Sequence, residues 1–351
     1  MTSAAAVEPL PYEPAPLEKL IGPGWEELLR SAYRWMLLGR TLDARMQSLQ
    51  RQGRVGFYGA ATGQEAVNVA AGLASGRDDW VFPGLREQLV ALVRGHPLPT
   101  YVHHLFADAK DPGRGRNMPC HPSASEVHYV SMSSVIGTQI SHAVGVGYAQ
   151  KLRHESGATL AFFGDGATSS NDFHAGLNFA GVFQLPVVFC CTNNQWAISQ
   201  PVSRQTAVPS LATKAKAYGF SGRSVDGTDF VASYRALSEA LREAREGRGP
   251  VLLEFVLFRM MPHSSSDDPS RYQPADWMAR AARQDPVPRL RSWLIAQGRV
   301  TDAELSRWEA DAEREVREAI DDAERTPPPS PDSLTEDVYA SQSYPGAGRG
   351  G

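Results

Sequence analysis

The sequence predicts an α/β fold, a parallel sheet flanked by helices, and three observations lead to this prediction. Short apolar runs, such as residues 160–163 and 187–191, have the length and composition of strands buried on both faces. Segments long enough for a helix separate such runs along the chain. Gly164 follows the first run directly, and two asparagines follow the second run after Thr192, which marks a turn at each end. Alternating strands and helices are typical of a parallel sheet.

The N-terminal part is predicted to contain an extended arm and one long helix. Residues 1–24 include five prolines and are predicted to be extended. Apolar residues then recur at helical spacing from residue 25 to about residue 50, and Gly53 ends this helix. A second helix, rich in small residues, is expected from Glu65 to Gly72. Glu65 is interpreted as a first-turn acid that favours the helix dipole, in preference to a catalytic glutamate.

The next segment contains a predicted strand, a loop and a helix. Arg86 follows the strand predicted at residues 80–85, and its guanidinium suits either diphosphate oxygens or solvent. The arginines of the loop at residues 110–121 could bind phosphate, but solvated loop charges are commoner and are expected here. A helix of small residues is predicted at residues 140–148. Shortly before it stand three hard oxygen donors that suit a monovalent cation: Ser133, Thr138 and Gln139.

The most informative stretch is a strand–helix–strand unit with polar residues after each strand. Gly164-Asp165-Gly166 follows the first strand, and Asn193-Asn194 lies 26 residues further on, after residues 167–192. Ser169 or Ser170 is the expected helix cap. We expect the glycines to form a turn that other residues make only at a cost. Because ligands of open parallel sheets bind at the carboxyl edge, Asp165 and Asn194 are candidate magnesium ligands beside a diphosphate.

The C-terminal part begins with a strand predicted at residues 251–258 and a polar loop at residues 259–272, which is interpreted as functional. Charged helices follow, one of them with a capping box formed by Thr301 and Glu304. The glycine-rich end is predicted to be disordered. The chain is therefore divided into an arm (1–24), an α/β domain (25–275) and a helical segment with a tail (276–351).

Composition excludes several classes of protein. The net charge is −4 and no long basic stripe occurs, which argues against a nucleic-acid partner. The three cysteines form no CxxC pair, which fits a reducing compartment. No apolar run is long enough for a membrane span, and no targeting segment is recognised, so a cytoplasmic location is expected.

With these residues in view, the chain resembles the α subunits of the decarboxylating components of 2-oxo acid dehydrogenase complexes, most closely the branched-chain type. The resemblance covers roughly residues 25–340. It rests on the motifs at residues 51–54 and 115–119, on the GDG and Asn-Asn unit, and on residues 263–268, whose sequence separates the branched-chain type from the pyruvate type. It implies a thiamine diphosphate-binding fold.

The resemblance also implies roles for individual residues. The implied cofactor-binding residues are Arg86, Ser134, Ile136, Gly164, Asp165, Gly166, Ala167, Asn194 and His263. Magnesium would be held by Asp165, Asn194 and the carbonyl of Trp196, and potassium by Ser133, Thr138 and Gln139. His263 is the implied catalytic residue, on the ground that imidazole titrates near neutral pH. The sequence departs from the family at Leu85, where tyrosine is common, and at Thr192, where arginine is common.

The implied activity is oxidative decarboxylation of branched-chain 2-oxo acids of the 3-methyl-2-oxobutanoate type. The acyl group would pass to the lipoyl domain of the acyltransferase component. A β subunit, in a two-α, two-β assembly, would supply the glutamate that activates the cofactor. Pyruvate or acetoin as substrate is the nearest alternative, and a non-catalytic regulatory subunit is an alternative of another class. A nicotinamide-binding protein is disfavoured because no GxGxxG motif follows a strand.

Overall fold

A five-stranded parallel sheet forms the centre of the molecule. The computed structural model describes residues 14–264 and 266–336. The strands of the described residues are β1 (Trp80–Phe82), β2 (Thr159–Gly164), β3 (Val187–Asn193), β4 (Trp196–Ala197), β5 (Gln200–Pro201), β6 (Ser221–Asp226) and β7 (Val251–Val256). The sheet has the order β1-β2-β3-β7-β6 with every pair parallel, whereas β4 and β5 form a separate antiparallel pair. The predicted fold class is confirmed.

Helices cover both faces of this sheet. They are α1 (Pro14–Ile21), α2 (Trp25–Arg51), α3 (Glu65–Ala74), α4 (Gln88–Val93), α5 (Leu98–Phe106), α6 (Thr138–Arg153), α7 (Asn171–Phe183), α8 (Phe230–Arg245), α9 (Trp277–Arg283), α10 (Pro286–Ala296) and α11 (Asp302–Arg325). Short 3₁₀ segments occur between them, including Asp165–Ser169 and Leu211–Tyr218.

The alternation of side chains along β2 explains the two layers. Leu160 and Phe162 are buried in the larger core, which also contains residues of α1 to α5, α8, α10 and α11. Ala161 and Phe163 are buried in the smaller core, together with residues of α6 and α7. Because successive side chains of a strand point to opposite faces, an apolar run with helices on both sides is buried throughout.

The connection from β2 to α7 differs in one respect from the prediction. Ser170 is one of the two serines expected to cap α7. It does so by accepting a 3.2 Å hydrogen bond from the Phe173 amide. However, Gly164 has a φ of −79° and Gly166 is not among the glycines with positive φ, so the expected glycine-only turn is wrong. Gly166 is instead required by close packing, since a Cβ there would lie 2.7 Å from the Ala197 Cβ.

The N-terminal end of the chain differs from the prediction, whereas the C-terminal helices follow it. Residues 14–21 form helix α1 rather than an extended arm, because Leu17 is fully buried in the larger core. Residues 1–13 and the glycine-rich end lie outside the described residues. The capping box of Thr301 and Glu304 is confirmed, and α11 packs against α2 and α5. Helices α10 and α11 thus contribute residues to the larger core.

The carboxyl ends of the central strands are aligned. Gly164 at the end of β2 is in register with Thr192, and Asn193 at the end of β3 is in register with Val256. The residues that follow these strands therefore meet at one edge of the sheet. In the described part of the chain, no helix has both the length and the apolarity needed to cross a membrane.

Candidate active site

A cavity of about 420 Å³ lies at the carboxyl edge of the sheet. The lining includes twelve of the thirteen residues predicted to bind the cofactor or a metal: Arg86, Ser133, Ser134, Ile136, Gln139, Gly164, Asp165, Gly166, Ala167, Asn194, Trp196 and His263. His263 is also the predicted catalytic residue. Thr138 is the predicted site residue that does not line it.

Asp165 places a buried carboxylate at the edge of this cavity. Asp165 is only 1% exposed, and its Oδ2 accepts a 2.7 Å hydrogen bond from Gln205 Nε2. Burial raises the pKa of Asp165 to about 6, because desolvation penalises the ionised form. Among the described residues Asp165 forms no salt bridge. A carboxylate without a cationic partner in such a position is suited to a metal ion.

Asn194 and Trp196 provide further oxygen atoms in the same region. Asn194 Oδ1 accepts a 3.3 Å hydrogen bond from the Trp196 amide, and the Trp196 carbonyl accepts one of 3.1 Å from Arg259 Nη1. Gln195, between them, has a left-handed φ of 72°, which turns the chain sharply after β3. Amide and carbonyl oxygens are hard ligands, and each retains an acceptor site beside the hydrogen bond described.

Arg86 places a buried positive charge in the cavity. Its Nη1 donates to the Ala60 carbonyl, and Nη2 donates a 2.7 Å hydrogen bond to the His263 carbonyl. Burial lowers the pKa of Arg86 to about 10, and the charge of Arg259 contributes to this, so the guanidinium remains protonated at neutral pH. Arg86 forms no salt bridge with any carboxylate of residues 14–264 and 266–336.

The cavity therefore contains a cation and an anion that are not paired with each other. No group of three or more His, Cys, Asp or Glu side chains within the described chain is arranged to hold a metal ion. The single carboxylate of Asp165 would thus need additional oxygen ligands from elsewhere, and a phosphate group supplies them. An anionic ligand beside Arg86 that carries a divalent metal to Asp165 would compensate both charges.

The family model described as Dehydrogenase E1 component matches residues 33–332 of this chain. The chain belongs to this family. The matched range includes the GDG segment and Asn194, which the sheet brings to the cavity.

The curated relatives of this E1 chain have similar names. It is 46% identical over 273 residues to the "3-methyl-2-oxobutanoate dehydrogenase subunit alpha" of Mycobacterium tuberculosis. The aligned segment covers 78% of this chain and 72% of the relative. It is 39% identical over 315 residues to the "2-oxoisovalerate dehydrogenase subunit alpha, mitochondrial" of Mus musculus, covering 90% and 71%. The human protein of the latter name is 38% identical over 315 residues, with the same coverage.

His263 of this E1 chain differs electrostatically from the expectation. Burial, together with the positive charges of Arg86 and Arg259, lowers the pKa of His263 to about 4. The imidazole is therefore neutral at pH 7 in the cofactor-free chain, and the assumption that it titrates near neutrality is wrong for this state. The backbone is held by a 2.8 Å hydrogen bond from the His263 amide to Asp267 Oδ2.

His121 lines the cavity but was not recognised from the sequence, where only the arginines of its loop were considered. Its Nδ1 lies 2.9 Å from the Pro119 carbonyl, which can only accept a hydrogen bond, so Nδ1 carries the proton. Nε2 lies 2.5 Å from the Ser134 hydroxyl, within hydrogen-bond distance. The imidazole of His121 therefore contacts Ser134, a residue predicted to contact the cofactor.

Glu87 is a second unrecognised residue of the cavity. Its side chain is buried, and Oε2 accepts a 3.0 Å hydrogen bond from the Arg86 amide. Burial raises the pKa of Glu87 to about 7. Gly84 provides room for it, since a Cβ at that position would lie 2.9 Å from Glu87 Oε2. Its position directly after Arg86 was the signal available in the sequence.

Other predicted residues have structural partners. Arg116 donates hydrogen bonds to the Ser333 and Glu336 carbonyls, so this loop arginine contacts the C-terminal turn and not the cavity. Glu65 is fully buried and accepts hydrogen bonds of 2.6 Å from Arg40 Nε and 2.8 Å from the Gly63 amide. These contacts agree with a structural role for Glu65, the interpretation preferred from the sequence.

The departures from the family pattern lie in the cavity, and so does part of the predicted potassium site. Leu85 and Thr192 both line the cavity, but Leu85 has no polar group and the Thr192 hydroxyl donates to the Phe163 carbonyl at 3.3 Å. Gln139 Nε2 donates to the Phe162 carbonyl at 3.0 Å, while its Oε1 is buried and has no hydrogen-bond partner in the part of the chain that the structure describes. An unpartnered oxygen is compatible with a cation ligand, and the potassium site stays a prediction.

Proposed function

We propose that this chain is the α subunit of a thiamine diphosphate-dependent dehydrogenase that decarboxylates branched-chain 2-oxo acids. The observation that carries the proposal is the pair of buried, mutually unpaired charges in the cavity, Arg86 and Asp165. The names of the relatives from Mycobacterium tuberculosis and Mus musculus support the choice of a branched-chain substrate. The sequence of residues 263–268 favours the same substrate.

The donor set of the cavity fits a diphosphate held through magnesium. Arg86 would contact the diphosphate, and Asp165, Asn194 and the Trp196 carbonyl would hold the metal. Gly164 leaves its backbone open to a ligand, because a Cβ there would meet no atom within 4 Å. Leu85 and Thr192 contribute no free donor, so backbone and metal would account for more of the binding. When bound, thiamine diphosphate supplies the nucleophile and the electron sink for decarboxylation.

His263 is proposed to deliver a proton during acyl transfer to the lipoyl group. A low pKa keeps its imidazole neutral in the cofactor-free chain, as a consequence of burial and of Arg86 and Arg259. Negative charge placed beside Arg86 would offset the guanidinium and raise the pKa of His263. A larger fraction of His263 would therefore be protonated at neutral pH when the cofactor is bound, and this fraction could deliver the proton.

Partner subunits complete the proposal. A β subunit would supply the glutamate that activates the cofactor, in a two-α, two-β assembly, as the family resemblance implies. The pairing of Glu65 with Arg40 agrees with this. The lipoyl domain of the acyltransferase component would receive the acyl group. The cytoplasmic location expected from the sequence stays a prediction.

The test is an assay of the chain purified alone and after co-expression with its β subunit. We expect turnover only by the complex, with a kcat/KM for 3-methyl-2-oxobutanoate about tenfold or more above that for pyruvate, as about 1–3 kcal/mol per methylene allows. Turnover by the isolated chain would contradict an active site shared with the β subunit. A preference for pyruvate would contradict the proposed branched-chain substrate. Cofactor binding without turnover of any 2-oxo acid would favour a regulatory subunit.

A further inference from the structure

Gln205 lies on the loop after the predicted magnesium-binding segment and contacts the Asp165 carboxylate. It is separated from Asp165 by 40 positions, yet its Nε2 donates a 2.7 Å hydrogen bond to Asp165 Oδ2. Among the described residues, Gln205 is the one whose side chain donates a hydrogen bond to the Asp165 carboxylate. The carboxylate is thus anchored through one oxygen by a residue to which neither the sequence motif nor the family resemblance assigns a role.

The orientation of the Gln205 carboxamide is determined by its neighbours. Nε2 also donates a 3.1 Å hydrogen bond to the Gln200 carbonyl. The Asp165 carboxylate and the Gln200 carbonyl are both acceptors, so a rotated carboxamide would set Oε1 against two oxygens. The donor orientation is therefore the one that the surroundings permit, and Gln205 fixes Asp165 Oδ2.

The carboxamide oxygen of Gln205, Oε1, lowers the stability of the fold, so a purely structural role does not explain this residue. Oε1 is buried and has no hydrogen-bond partner among the described residues. It lies beside the metal-binding segment, since a Cβ on Gly166 would be 3.7 Å from it. An unsatisfied buried acceptor costs about 1–3 kcal/mol, and such groups call for a functional reason.

We propose that Gln205 is a positioning residue that makes Asp165 a monodentate ligand and thereby favours magnesium over calcium. The proposal rests on the function proposed above. With Oδ2 held by Gln205, Oδ1 is the oxygen left for the metal. Mg²⁺ takes near-octahedral coordination with single oxygens, whereas Ca²⁺ accepts bidentate carboxylates in larger, flexible shells. Loss of the Gln205 donor would free both oxygens, weaken Mg²⁺ binding and favour Ca²⁺.

The experiment uses the full chain assembled with its β subunit and saturated with thiamine diphosphate. Isothermal titration calorimetry measures the Kd of Mg²⁺ and of Ca²⁺ for wild type and Gln205→Met, which keeps the side-chain length without the donor. Outer-shell losses weaken metal binding about 10–100-fold, so we expect a Mg²⁺ Kd raised by that factor. The ratio of Mg²⁺ to Ca²⁺ affinity should fall about tenfold or more.

Matched variants separate positioning from a general loss of structure. Gln200→Met, in the nearby strand β5 with an exposed side chain, should leave both Kd values unchanged. Gln205→Asn, whose donor is withdrawn by one methylene, should shift the ratio in the same direction if Gln205→Met does not fold. Equal losses for both metals, or a Mg²⁺ Kd within about threefold of wild type, would overturn the positioning role.

Failure of this inference is distinguishable from failure of the proposed function. If wild type binds neither the cofactor nor Mg²⁺, the proposed function is wrong. If wild type binds both and the Gln205 variants keep the same metal preference, only the positioning role is wrong. Asp165→Asn, the loss of the ligand itself, gives the lower limit of Mg²⁺ affinity.

Discussion

Replacement of Asp165 by asparagine should remove metal-dependent cofactor binding without weakening the cofactor-free fold. Asparagine keeps the shape of the side chain and removes its charge. The rise of the Asp165 pKa from 3.8 to about 6 corresponds to roughly 3 kcal/mol, at about 1.4 kcal/mol for each pH unit. This is an upper limit for the free energy that the ionised carboxylate costs the folded chain at neutral pH.

The sign of the pH dependence follows from the raised pKa. The folded chain binds the Asp165 proton more tightly than the unfolded chain does, so its favourable contribution is complete below pH 3.8 and is lost as the pH rises through about 6. At pH 7.5 the Asp165→Asn variant, free of metal and cofactor, should be at least as stable as wild type. Near pH 4 the difference between them should become small.

Two measurements test this reasoning. Urea unfolding at pH 4.5 and 7.5 gives the free energy of unfolding, and calorimetry with Mg²⁺ and thiamine diphosphate gives the binding. Asp78→Asn, at an exposed carboxylate, is the control and should change neither. A variant that binds the cofactor with magnesium as wild type does would refute the ligand assignment. A loss of several kcal/mol at pH 7.5 would refute the argument from burial.

Three further changes address other parts of the chain. His263→Ala should impair transfer to the lipoyl domain far more than decarboxylation followed with an artificial electron acceptor; equal losses in both assays would rule out proton delivery. Gly166→Ala should weaken cofactor binding about tenfold or more while the far-UV circular dichroism is kept, because its Cβ would lie 2.7 Å from the Ala197 Cβ. Unchanged affinity would contradict close packing at this turn. Glu65→Gln should lower the free energy of unfolding by about 2 kcal/mol through loss of the charge that pairs with Arg40, and should leave kcat of the folded enzyme unchanged. A loss of kcat at unchanged stability would restore the catalytic interpretation of Glu65.

Local patterns in the sequence determined the fold class and the core of the site. The apolar runs, the serine cap of α7 and the capping box of α11 depend on neighbours a few positions away, so they can be predicted from local order. Asp165 and Asn194 could be assigned to one cavity because the carboxyl ends of parallel strands meet at one edge. The motif spacing sufficed for these residues.

Tertiary packing decided the features that depend on distant segments and on burial. Glu87, His121 and Gln205 reach the site from three separate loops, and no local pattern indicates that they meet there. The helix at residues 14–21 forms against a core to which Leu17 contributes, which proline content alone does not reveal.

The protonation states of the site residues could not be predicted from the sequence either. The low pKa of His263 and the raised pKa values of Asp165 and Glu87 arise from desolvation, and for His263 also from Arg86 and Arg259. Desolvation is set by the surrounding atoms of the folded chain, whereas residue type sets only the reference value. The sequence thus determined which groups can meet at the carboxyl edge of the sheet, and the tertiary structure decided their charge and their partners.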